Sequence, residues 1–101
     1  MAIKINWSEK AQQVRKKIFK YWNTRNKSKE YSKKLNTLFK HSVTYLQEYP
    51  TMGRESGYQN IRYLIVRDYL IFYKIYIDSI IILRVWDGRR NPDSLHRSML
   101  I

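Results

Sequence analysis

The residues best equipped for chemistry crowd the C-terminal end of the chain, where Arg84, Trp86, Arg89, Arg90 and His96 follow one another closely. A guanidinium beside an indole can engage a phosphate and stack on a base, as in many grips on single-stranded nucleic acid. Arg89 and Arg90 form a compact cationic pair after Gly88, which is expected to turn the chain with a positive φ. His96 has a side chain whose intrinsic pKa lies near neutrality and could act as a general acid. Arg84, Arg90 and His96 are thus the candidate catalytic set for metal-free phosphodiester cleavage. The arginines would stabilise charge developing on the phosphate during attack by a 2'-hydroxyl, and the acid would protonate the leaving oxygen. Each residue also has a plainer reading: Trp86 capping a core edge, Arg84 solvated or acid-paired, Arg89-Arg90 a solvated turn, His96 an ordinary surface residue.

Two further places invite the same question. Arg62 falls on an otherwise apolar row of its strand and would escape to the rim, where it could join Arg84. The candidate surface for a target or nucleic acid is therefore Arg62, Arg84, Trp86, Arg89 and Arg90. Arg54 and Glu55, in the loop between Gly53 and Gly57, are mobile candidates. Glu55 could serve as a general base if that loop folded over a substrate, although an exposed loop acid is the commoner case. Tyr69, Tyr73 and Tyr76 are expected to pack rather than react. No phosphate-binding glycine loop, metal-ligand spacing or Ser-His-Asp order is present, so neither a metal nor a cofactor is expected.

The elements that must position these groups follow from periodicity. Ile3-Lys4-Ile5 reads as a short strand, and Ser8 as the N-cap of a helix with Glu9 in its first turn. Ala11, Val14, Ile18 and Trp22 recur at intervals of three and four, one face of an amphipathic helix. The stretch 23–27 breaks the pattern. Ser28 can cap a second helix whose stripe is Tyr31, Leu35, Leu38, Phe39, Ser42, Leu46 and Tyr49, ended by Pro50. Three β-branched and aromatic runs, 61–66, 69–77 and 80–86, separated by hairpin-sized gaps, read as an antiparallel meander. In the last run, alternation groups Ile81, Leu83 and Val85 against Ile80, Ile82, Arg84 and Trp86; if the first set faces the helices, Arg84 and Trp86 look out from the open face. The expected architecture is α+β: an N-terminal strand and a two-helix hairpin packed on a small antiparallel sheet.

A chain of 101 residues with 44% hydrophobic content can enclose one modest core, so a single domain over residues 1–101 is expected. Twenty Lys and Arg against eight Asp and Glu leave a net charge of +12 spread from Lys4 to Arg97. Self-repulsion of this size opposes compaction and points to a polyanionic partner: nucleic acid, a ribosome surface or an acidic protein. The absence of cysteine excludes disulfides and thiolate chemistry. No apolar stretch could span a bilayer and no signal peptide is evident, so a cytoplasmic protein without a membrane partner is expected.

The order strand, two helices and meander resembles that of the RelE/ParE superfamily of toxins from toxin–antitoxin pairs. Three local patterns carry the resemblance over about residues 3 to 92: Tyr49-Pro50 with Gly53; Ile61-Arg62-Tyr63-Leu64-Ile65-Val66 leading to Tyr69-Leu70-Ile71-Phe72-Tyr73; and Leu83-Arg84-Val85-Trp86-Asp87-Gly88-Arg89-Arg90. The resemblance implies a growth-inhibiting toxin neutralised by a cognate antitoxin, which would dock on the helical hairpin or an exposed sheet edge. The superfamily contains ribosome-dependent messenger RNA endonucleases and, in the ParE branch, poisons of DNA gyrase. The nucleases commonly have an arginine where this chain has Leu70, and they tend to place a Tyr or His after the last strand, a part His96 could take. The ending Asp87-Gly88-Arg89-Arg90 looks more like ParE-like members. These features together favour a gyrase-directed toxin over an endonuclease. A basic nucleic-acid-binding domain without toxicity is the rival from another class.

Overall fold

The computed structural model describes residues 3–89, so Arg90 and His96 lie outside the described residues. The elements in chain order are β1 (Lys4–Trp7), α1 (Glu9–Asn26), α2 (Glu30–Tyr45), β2 (Arg54–Glu55), β3 (Ile61–Val66), β4 (Tyr69–Ile75) and β5 (Ser79–Asp87). One five-stranded sheet forms in the order β1-β5-β4-β3-β2. The expected meander is β3-β4-β5, antiparallel throughout. The sheet as a whole is mixed, because β1 runs parallel to β5, pairing Lys4 with Ser79 through Trp7 with Ile82. The helical hairpin carries the chain from β1 at one sheet edge to β2 at the other, and the meander returns it to β5 beside β1, which supplies the long connection that parallel pairing requires. β2 pairs with β3, so Arg54 and Glu55 are strand residues at a sheet edge rather than tips of a mobile loop.

Ser8 caps α1 as expected, its Oγ accepting from the Ala11 N–H at 3.1 Å. α1 runs through the polar stretch expected to break it and ends at Lys27, which takes a left-handed φ of 51°. Cross-hairpin contacts extend it: Trp22 meets Tyr31 edge-on at 4.7 Å, and the Ser32 hydroxyl donates to Asn23 Oδ1. α2 begins one residue later than Ser28 as a cap would place it, but Ser28 Oγ still accepts from the Glu30 N–H at 3.2 Å.

The core fills the space between the helical layer and one sheet face. Ala11, Leu35, Phe39, Val43 and Leu46 meet Leu64, Val66, Tyr69, Ile71, Tyr73, Ile80, Ile82 and Val85. Tyr49, the last residue of the expected α2 stripe, is exposed, as is Tyr76. The sheet rows show a departure from simple alternation. Tyr73 pairs with Ile82, but Phe72 pairs with Arg84, so Leu83 is an extra residue in β5. This bulge shifts the parity of everything after it. Ile80 and Ile82 face the helices, correcting the expectation that Ile81 and Leu83 would; beyond the bulge Val85 takes over that row.

Candidate functional site

The bulge decides where the two central candidates sit. Strict alternation from Ile80 and Ile82 would carry Arg84 and Trp86 into the core; the extra residue returns both to the second sheet face, opposite Phe72 and Leu70. Across that face Phe72 packs on Tyr63 with ring centroids 5.4 Å apart, so Arg84 ends a row that reads Tyr63, Phe72, Arg84. The extra residue leaves the Leu83 carbonyl outside the regular ladder, and two donors serve it. Ser8 Oγ donates at 2.9 Å and Arg84 Nη1 at 2.7 Å. The residue that starts α1 thus also fixes the kink that aims Arg84.

Where β5 ends, a groove of about 590 Å³ opens between it and α1, lined among others by Val14, Ile18 and Tyr21 on one side and Arg84, Trp86 and Arg89 on the other, so the two central candidates also border this groove. Tyr69 forms part of its wall, accepting from Trp22 Nε1 at 2.8 Å. Burial pushes the Tyr69 hydroxyl's pKa up. Arg89 is held by Asp87 in a two-pronged pair, Nε to Oδ1 at 3.0 Å and Nη2 to Oδ2 at 2.9 Å, while its own N–H donates to Oδ1 at 3.0 Å. That pairing raises the guanidinium's pKa further above its ordinary range. Much of the Arg89 charge is therefore already answered within the chain. Gly88 does not take a positive φ, contrary to expectation. It is required by close approach instead: its N–H donates to the Asp68 carbonyl at 2.7 Å, and a Cβ there would lie 2.9 Å from the same oxygen.

Arg62 does not join Arg84. It lies on the helix-facing row opposite Tyr73, and its Nη1 donates to the Gly53 carbonyl at 2.9 Å while Nη2 lies 3.7 Å from Glu55. Tyr73 completes this latch, accepting from the Gly53 N–H at 3.0 Å and donating to the Pro50 carbonyl at 2.7 Å. Burial raises the Tyr73 pKa, with the bond from Gly53 and the Arg62 charge acting the other way. A Cβ on Gly53 would strike the Tyr73 ring at 2.7 Å. The Tyr49-Pro50…Gly53 pattern is therefore a structural clasp between the α2 exit and the sheet. Glu55, exposed at the β2 edge and paired with Arg62, lines with it a cleft of about 690 Å³ beside the 56–60 turn, well away from Arg84. Among the described residues no group of His, Cys, Asp or Glu could hold a metal ion, and no helix is long and apolar enough to cross a membrane.

Sequence reasoning missed the groove and the part Tyr69, Lys10 and Lys17 play in lining it. The signal was present only as β5 continuing past the end of β1, which depends on the parallel pairing.

With this geometry in hand, comparison with known proteins is informative. The sequence matches the model of the ParE toxin of the type II toxin–antitoxin system parDE over residues 5–92. The chain belongs to that family, and is a ParE-like toxin component of a type II toxin–antitoxin system. A solved chain from the chromosomal ParDE TA system of P. aeruginosa has the same fold: the TM-score is 0.72 at 20% identity, covering 83% of this chain and 94% of that one. No curated protein matches the sequence as a relative.

Proposed function

We propose that this toxin arrests growth by engaging DNA gyrase in the cytoplasm through the second sheet face, with Arg84 and Trp86 as its central contacts. The observation that carries this reading is the face on which half-buried Tyr63, Leu70, Arg84 and Trp86 surround the buried Phe72: aromatic and aliphatic surface beside one guanidinium. Such a combination suits a protein interface, where aromatic residues and Arg are enriched, more than phosphodiester cleavage, which needs a positioned acid and base. The one histidine among the described residues, His41, is exposed on α2, in the other layer. Arg89, Arg90 and His96 remain candidates for the margin of the contact.

The cognate antitoxin fits the groove between α1 and β5, where an apolar helix stripe lies beside a strand whose second half extends beyond β1. The test is a supercoiling assay with purified gyrase and the purified toxin. The expected result is accumulation of cleaved DNA, with Arg84→Ala combined with Trp86→Ala weakening the effect by about tenfold or more, the range of interface hot spots. Uninhibited gyrase together with ribosome-dependent cleavage of messenger RNA would replace this reading with the endonuclease one.

A further inference from the structure

The two kinds of cation in this chain are segregated between its layers. Between Glu9 and Lys40 the helical hairpin carries nine lysines and two arginines against two glutamates, so nine of the twelve net positive charges belong to it. All nine lysines are exposed. Neither of the ion pairs among the described residues involves any of them. The two hairpin arginines are occupied with aromatic rings, Arg15 over Trp7 at 4.4 Å and Arg25 over Trp22 at 5.8 Å. The sheet and its turns carry Arg54, Arg62, Arg67, Arg84 and Arg89 but only two of the eleven lysines, Lys4 and Lys74.

We infer that the outer surface of the helical hairpin is a docking plate for the phosphate backbone of double-helical DNA, held by charge and without sequence readout. Lysine is a compact, mobile point charge, suited to a diffuse row of phosphates rather than to one fixed anion. α1 alone is about 27 Å long at 1.5 Å per residue, and duplex DNA offers a phosphate charge every ~1.7 Å along its axis. Lys16 and Lys20 on α1 with Lys33, Lys34 and Lys40 on α2 can therefore meet several phosphates together. An acidic protein is a poorer fit, because interface cores are depleted in lysine. A membrane surface is a poorer fit as well, since the apolar residues of both helices lie toward the sheet and the groove beside β5, not among the lysines of the plate. The choice of DNA over RNA rests on the gyrase-directed reading, since a target that works on DNA would be met beside a duplex. The plate itself is independent of that reading, and the two surfaces occupy different layers of the protein.

The experiment is fluorescence anisotropy of a labelled DNA duplex of arbitrary sequence, titrated with the purified toxin over a series of salt concentrations and without gyrase. The wild-type chain is expected to bind with a steep log–log salt dependence, each neutralised phosphate contributing a slope of about 0.9. Replacing Lys16, Lys20, Lys33, Lys34 and Lys40 together with Gln should lower that slope by about 3 or more and weaken binding at least about tenfold near 0.1 M salt. Lys74→Gln, on β4 in the other layer, should leave it unchanged. A slope below about 2 for the wild type, or an unaltered slope in the five-lysine variant shown folded by circular dichroism, would overturn the inference. Tighter binding to an RNA duplex or to single-stranded DNA would overturn it too. Failure here leaves the gyrase assay standing, because that assay reads a different surface.

Discussion

At the scale of single residues, the Tyr73 hydroxyl is the sharpest case of one group holding two segments. Replacing it in Tyr73→Phe strands the Gly53 N–H and the Pro50 carbonyl in a buried site, and should cost about 1–3 kcal/mol in urea unfolding. A cost below a few tenths would mean that the clasp is replaceable by water. The raised pKa values of Tyr69 and Tyr73 have a definite sign. A group whose folded pKa lies above its unfolded value stabilises the fold below the unfolded value, about 10 for tyrosine, and that stability is lost as pH climbs through the folded pKa. Stability should therefore fall above about pH 10, and fall less in Tyr73→Phe, as alkaline unfolding curves would show. Some of this was legible: Ser8 announced itself as a cap because capping is a local rule. The need for glycine at position 88 was legible but its cause was not. A glycine can mark a positive φ or a close approach, and only the tertiary contact with Asp68 distinguishes them.

At the scale of elements, the bulge at Leu83 and the cap at Ser8 form one device, since the same hydroxyl accepts from Ala11 and donates to Leu83. Ser8→Ala should destabilise the fold by about 1–2 kcal/mol through the lost cap, with a further contribution from the Leu83 carbonyl. If the device aims Arg84 as described, this variant should also reduce toxicity beyond what its fraction unfolded explains. Phe39, fully buried between Phe19 at 6.0 Å and Tyr69 at 5.8 Å, carries the helix-to-sheet contact, and Phe39→Ala should cost about 3–5 kcal/mol by denaturant titration. The periodicities revealed both helices and all three meander strands, because amphipathic stripes and β-branched runs are local patterns. The bulge is not local. An unbroken apolar run from Ile80 to Leu83 satisfies either face, and only pairing with Phe72 and Tyr73 says where the parity shifts. The long α1 was hidden for a similar reason: its polar last turn is held by partners on α2.

At the scale of the whole molecule, the net charge of +12 on 101 residues is a standing repulsion that salt screens within about 10 Å at 0.1 M. Raising the salt concentration should raise the melting temperature by about 4–8 °C for each kcal/mol of repulsion relieved, and the five-lysine variant should show a smaller rise. A salt-insensitive melting temperature in the wild type would indicate that the charges are too dispersed to oppose folding. The excess charge was plain in the composition, but its division into a lysine-rich helical layer and an arginine-bearing sheet emerged only with the layers themselves. The central claim is that a ParE-family toxin acts on gyrase through the face that carries Arg84. Its most direct test is induction of the wild-type chain and of Arg84→Ala in a bacterial host, following DNA breaks and transcript integrity together. The account predicts DNA breaks with intact transcripts for the wild type and a marked loss of both breaks and toxicity for the variant. Rapid transcript cleavage at ribosomes without DNA breaks, or equal toxicity of the two chains, would contradict it.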